Sequence, residues 1–279
     1  MTHTGQRRRF PKHIALPQDH GAWFLFFSPL IIGLVLGGRW NLNTALFVLA
    51  ALGAFLARQP ASILVKALAG RRPRRDIRPA LRFLFAYLAL TAVGVIGLLW
   101  RGQWYILHLA VPGVLVFAWH LWLLARRRER RQMGVELIGV GVLALSAPAA
   151  VWVAHGRYQP EYWWLWFLLW FEEATAIVYA YLRLEQRGWP AVPRLGERLR
   201  AGARALAYAT FNMLAVYALG RAEIVPLGVT WAFAVQWLEV VLGTLQPAVK
   251  RRPAYIGLRQ GFVTILFTLL FIWGWGPAP

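Results

Sequence analysis

The chain has 279 residues, is 59% hydrophobic and 15% aromatic, and has a mean hydropathy of +0.48. A soluble domain is about 45–50% apolar, so the composition excludes an ordinary soluble globule and points to membrane-spanning helices. The net charge of +20 would suggest nucleic acid in a soluble protein, but here the basic residues collect in every second loop between apolar runs, and no nucleic-acid partner is expected.

The amino-terminal tail carries Arg7, Arg8, Arg9 and Lys12. No small-residue cleavage site follows the first apolar run, so that run is expected to stay as a span rather than leave as a signal peptide. Crossing a bilayer core takes about 20 mostly apolar residues, and candidate runs fall at 22–38, 42–57, 80–100, 103–125, 134–154, 161–182, 205–220, 224–246 and 255–275. Gly33 and Gly37, and Ala50 and Ala54, are spaced for close helix contact. The second run continues past Arg58 as an amphipathic stretch to Leu68, and Pro60, which lacks an N–H, predicts a kink or restart. Basic clusters follow at Arg71, Arg72, Arg74, Arg75 and Arg78, and at Arg126, Arg127, Arg128, Arg130 and Arg131. The longest loop, about 185–204, holds Arg194, Arg198, Arg200 and Arg204 and is expected to lie on the membrane surface as a short amphipathic helix.

The intervening loops hold only Arg39, Arg101, Arg157 and Arg221. This asymmetry is the positive-inside signal. It predicts a multi-pass protein of the cytoplasmic membrane with its amino terminus inside and its carboxy terminus outside. Anionic lipid headgroups are the expected partners of the basic loops. Trp40, Trp100, Trp104, Trp152, Trp163, Trp164, Trp273 and Trp275 fall at the opposite ends and read as interfacial anchors. Uninterrupted apolar runs without dyad alternation exclude a β-barrel. The expected fold is all-α: one polytopic bundle of about nine transmembrane helices over 22–275, behind a basic tail at 1–21, forming a single membrane domain over 1–279.

A charged residue at a helix centre costs about 2.5–3.5 kcal/mol on insertion scales, so polar residues within the runs carry information. Glu172, Thr175, Tyr179 and Arg183 recur at helical spacing on one stripe of the sixth run, with Glu173 beside it. Two adjacent carboxylates at mid-depth need cationic partners or protons. The eighth run repeats the pattern with Gln236, Glu239, Gly243 and Gln246. Asn212, Tyr208, His120, Glu136, and the series Arg58, Ser62 and Lys66 add to it, and Asp19, His20 and Gly21 precede the first run. All fall in the middle or the basic half of the membrane, which predicts a polar cavity open to the cytoplasmic side. Simpler roles compete at some positions: Glu136 suits a helix N-terminus, and Arg58 and Lys66 suit snorkelling to headgroups. The sequence has no P-loop, no dinucleotide glycine fingerprint and no HExxH pair, and no serine-hydrolase elbow.

The segment Leu16-Pro17-Gln18-Asp19-His20-Gly21-Ala22-Trp23, with Ser28-Pro29, Gly33-Leu34, Glu136-Leu137-Ile138-Gly139 and Ala147-Pro148-Ala149-Ala150, resembles the YwiC-like family of bacterial membrane proteins. That resemblance implies an integral membrane protein. A more distant likeness, in helix number and in the cytoplasmic loops after the second and sixth spans, is to the UbiA superfamily of intramembrane prenyltransferases. It implies Asp-rich motifs holding magnesium and an isoprenoid diphosphate, where metal ions offset the phosphate charge. This sequence departs from the pattern, with Arg58, Ser62 and Lys66 at the first motif and Glu172, Glu173 and Glu185 near the second.

The leading expectation is a UbiA-like, prenyltransferase-like protein that binds or processes an isoprenoid or other anionic-headed lipid. Arg58 and Lys66 would contact the head, Glu172 or Glu173 would act as acid, base or metal ligand, and Ser62, His20, His120, Glu136, Tyr179, Arg183, Asn212, Gln236 and Glu239 would line the site. The alternatives are a transporter or proton-coupled permease, and a non-catalytic assembly partner.

Overall fold

The computed structural model describes residues 12–126 and 133–276. The tail before Lys12, with Arg7, Arg8 and Arg9, lies outside the described residues, as do Arg127, Arg128, Arg130 and Arg131 of the second basic loop. Every regular element among the described residues is helical. After a single turn, α1 (Lys12–Ala15), come α2 (His20–Gly37), α3 (Leu42–Leu68), α4 (Ile77–Trp100), α5 (Ile106–Ala125), α6 (Met133–Ala144), α7 (Ser146–His155), α8 (Trp163–Arg187), α9 (Leu195–Arg221), α10 (Thr230–Leu245) and α11 (Pro253–Trp275).

Counting α6 and α7 as one broken rod gives nine rods among the described residues, each at a predicted span. Seven are long and apolar enough to cross a membrane. The other two are α2, whose apolar part Gly21–Gly37 is short, and α9, whose first turns carry Glu197, Arg198, Arg200 and Arg204. The chain is therefore a multi-pass integral membrane protein built as a helical bundle.

Short links make neighbouring rods antiparallel, and the contacts follow. Gly53 of α3 meets Thr91 of α4 while Gly94 meets Leu46 and Ala50; Trp166 and Trp170 of α8 donate to the carbonyls of Gly141 and Leu137 of α6 at 2.8 and 2.7 Å. The basic loops thus share one end of the bundle. There Arg71 bonds the Leu124 carbonyl, and Arg187 Nε donates to the Arg251 carbonyl at 2.9 Å. At the other end Arg101 bonds Asn43.

The spacing of Gly33 and Gly37 works as expected. A Cβ at Gly33 would lie 2.3 Å from the Ala147 carbonyl oxygen, and one at Gly37 would lie 2.8 Å from Ala154 Cβ, so α2 seats directly on the backbone of α7. In the other pair, Ala50 packs against Gly94, while Ala54 is exposed.

Four expectations change. The fifth span is broken between Ala144 and Ser146, because Pro148 has no N–H to give the Ala144 carbonyl and its ring crowds that turn. Conversely, α3 runs through Pro60 without restarting. Residues 195–204 are not a separate surface helix but the first turns of α9, where Arg198 Nη1 donates to the Leu245 carbonyl at 2.6 Å and holds them to the end of α10. Trp152 is no interfacial anchor: it is fully buried, and its indole N–H donates to the Gln159 carbonyl at 2.7 Å. Trp40, Trp100, Trp104 and Trp273 are exposed, as anchors must be.

Candidate functional site

The polar stripe on α8 and the one on α10 face each other because the two helices run parallel, both toward the basic end. Near mid-helix, Gln236 Nε2 donates to the Glu172 carbonyl at 2.9 Å and to Glu172 Oε1 at 3.1 Å. One turn on, Tyr179 Oη donates to Glu239 Oε1 at 2.7 Å. Next, Arg183 Nη1 donates to the carbonyls of Gly243 and Gln246 at 2.6 and 2.9 Å and to Gln186 Oε1 at 2.8 Å. The guanidinium therefore caps the last turn of α10, where carbonyls have no helical partner and the dipole is negative. It also lies 5.7 Å from the Tyr179 ring.

Gly243 lets the two helices approach. A Cβ there would fall 1.9 Å from Tyr179 Oη, so any other residue would push the phenol off Glu239.

The second oxygen of Glu239 is held from α11. Arg259 donates to Glu239 Oε2 through Nη2 at 2.7 Å and through Nε at 3.0 Å. Arg259 is absent from the sequence expectations, although a lone arginine at the fifth position of the apolar run 255–275 is a signal for it.

These residues frame a cavity of about 140 Å³ among α2, α8, α10 and α11. Glu172, Thr175, Tyr179, Gln236, Glu239, Gln260 and Thr264 give its polar surface, and its apolar walls come from side chains such as Phe24, Leu25, Ile177, Val240 and Val263. Two polar groups there are left over. The Glu172 carboxylate, 4% exposed, has Gln236 as its hydrogen-bond partner among the described residues, through one oxygen only. Gln260 Nε2 is buried without a hydrogen-bond partner.

Of the residues expected from the sequence, Glu172, Tyr179, Gln236 and Glu239 line this cavity. Asn212 stands behind it, donating to the Phe171 carbonyl at 2.8 Å and to Thr175 Oγ1 at 2.7 Å. Glu173 is buried at 1% exposure on the neighbouring face of α8, with both carboxylate oxygens unpartnered among the described residues. His20 opens α2 next to the lining residue Gly21, but its side chain lies outside the described residues.

Arg58, Ser62 and Lys66 lie elsewhere, half-buried on α3, with Arg58 5.8 Å from the Phe55 ring and under the charge of Asp19. His120 is half-buried on α5, and Glu136, exposed in the first turn of α6, accepts from Tyr181 Oη at 2.9 Å. Periodicity aligned each series along its own helix; it held no information on which helices meet.

A magnesium ion would need several oxygen ligands at once. Among the described residues no three His, Asp or Glu side chains converge to hold a metal. Glu239 is already occupied by Arg259 and Tyr179, and Glu185 is exposed. The residues present do not fit the magnesium site that a UbiA-like reading implies.

Residues 16–151 match the model of the YwiC-like protein family, which bears out the likeness carried by the HGAW opening and the span-five residues. The match covers α2 through most of α7; α8, α10 and α11, which supply the cavity's polar groups, follow it. No curated protein and no solved structure matches the chain.

Proposed function

We propose that this YwiC-like membrane protein binds a membrane amphiphile, an isoprenoid or other lipid, whose polar head enters the cavity among α2, α8, α10 and α11. The observation that carries this reading is the cavity itself: apolar walls with polar groups gathered at one side, the usual make-up of a small-molecule site. At about 140 Å³ it suits a head and the first part of a chain, since drug-sized pockets run to about 300–1,000 Å³. The remainder of the molecule would extend between helices into lipid.

The UbiA-like version, with an anionic head held by Arg58 and Lys66, is weakened by their position on α3. In the orientation the basic loops favour, the cavity belongs to the cytoplasmic half of the membrane and those loops meet anionic headgroups.

Lipid extracts of the purified protein test the reading. Mass spectrometry is expected to show an amphiphile enriched over the bulk membrane, and Ala176→Phe, which fills the cavity, is expected to remove it. Equal lipid profiles for protein and membrane would defeat the proposal.

One observation favours a second reading, a proton- or cation-coupled permease: Glu173 holds two unpartnered oxygens beside Glu172. Flux in proteoliposomes that disappears in both Glu172→Gln and Glu173→Gln would select it.

A further inference from the structure

The Glu172 carboxylate at the cavity wall has no cation bonded to it among the described residues. Glu239 and Arg259 neutralise each other through a bidentate contact at 2.7 and 3.0 Å. Arg183, the other nearby cation, is committed to the carbonyls of Gly243 and Gln246 at the end of α10. That leaves the Glu172 carboxylate at the cavity wall with a neutral amide, Gln236, as its hydrogen-bond partner. A carboxylate taken out of water needs an opposite charge, several donors or a proton to offset its lost hydration, and one amide N–H supplies little of that. Gln260 Nε2 adds a buried donor without an acceptor on the same lining.

From this we infer that the head bound in the cavity is a protonated amine. An ammonium group would sit against the free side of Glu172, and an oxygen near it, a hydroxyl or ester, would accept from Gln260 Nε2. Both leftover groups are then satisfied. A phosphate or diphosphate head would instead bring negative charge against Glu172, with both nearby guanidinium groups already engaged. The inference rests on the amphiphile reading above and sets the sign of the head's charge.

Binding of four probes to the purified full-length protein in nanodiscs tests it: dodecylamine, butylamine, dodecanol and dodecyl phosphate, each followed by thermal shift and by competition with the others. The wild type is expected to bind dodecylamine more tightly than dodecanol by roughly tenfold or more, the worth of a charged hydrogen bond, and to bind dodecyl phosphate least. Glu172→Gln is expected to abolish the preference for amine over alcohol, with a cooperative thermal melt close to the wild type's showing that the variant is folded. Butylamine binding as tightly as dodecylamine would place the source in small soluble amines rather than in lipids, with the ammonium–Glu172 contact upheld.

The inference is overturned if dodecyl phosphate binds at least as well as dodecylamine, or if Glu172→Gln keeps the amine preference. Saturable dodecanol binding that Ala176→Phe removes, without any amine preference, would refute the ammonium head alone. If none of the four probes binds in a way that Ala176→Phe removes, the amphiphile reading itself falls.

Discussion

Replacing Arg259 by methionine removes the cation that, among the described residues, pairs with Glu239, and keeps most of the apolar stem. Glu239 is only 8% exposed and would retain the Tyr179 hydroxyl alone. Breaking a buried ion pair from one side costs about 3–5 kcal/mol, because the other charge stays behind. The Arg259 side chain keeps 28% of its surface, so water screens part of the loss and about 2–3 kcal/mol is expected. At roughly 2 °C per kcal/mol for a chain of this size, Tm in mild detergent should fall by about 4–6 °C. Glu239→Gln should cost less, about 1 kcal/mol, since the freed guanidinium already has a partly exposed position and the amide still accepts from Tyr179. The double variant Arg259→Met with Glu239→Gln should therefore be more stable than Arg259→Met alone. Equal melting temperatures for wild type and Arg259→Met, or a larger loss from Glu239→Gln than from Arg259→Met, would refute the argument that Glu239 is a buried charge dependent on Arg259.

Gly243→Ala should cost about 1–3 kcal/mol by overpacking against Tyr179, whereas Gly139→Ala, with nothing within 4 Å of the added carbon, should be neutral or slightly stabilising; thermal melts of the two variants check the contrast. Gly33→Ala should lower the melting temperature by a comparable amount by forcing α2 off the Ala147 backbone, and Gly134→Ala, again with open space around it, is its control. Asn212→Leu should cost about 1–3 kcal/mol, because the Thr175 hydroxyl loses its buried donor. The chain has no native cysteine, so single cysteines report orientation directly: one at Gly102 should react with a membrane-impermeant maleimide in intact cells, and one at Arg75 only after lysis. The reverse pattern would overturn the positive-inside assignment.

Span positions were legible in the sequence because they depend on local composition. The stripes Glu172–Tyr179 and Gln236–Glu239 were legible for a related reason: helical spacing places them without knowledge of the fold. What the sequence withheld was pairing between helices. Arg259 is twenty residues from Glu239 in the chain and meets it only because α10 and α11 fold back on each other. Arg58 and Lys66 have the same spacing logic as Glu172 and Tyr179, yet α3 packs chiefly on α4 rather than on the cavity. Trp152 illustrates the same limit, since an indole placed for the interface by its position is covered by Tyr105, Tyr158 and Trp163. The break at Leu145 was in principle readable from Pro148, but proline inside an apolar span often leaves the helix whole, as Pro60 does.

Contacts along the α10 and α11 pair change character from one end to the other. In the turn just before α10, Gly228 meets Gly274 of α11 backbone to backbone, with a Cβ at Gly228 falling 2.7 Å from the Gly274 carbonyl oxygen. At Phe233 and Phe267 ring meets ring at 5.2 Å. Farther on, contact is made by the full reach of an arginine side chain to Glu239. Meanwhile α8 and α10 are bonded at three successive turns, and α11 is joined to α2 through Ser28 and Thr268 at 2.8 Å. The two helices therefore meet most closely at the paired glycines, and beside the cavity they are joined by the Arg259–Glu239 bond. The α10–α11 pair is thus held by close backbone contact at one end and by an ionic contact farther along, so a substitution at the glycines perturbs helix packing while one at the ion pair perturbs charge.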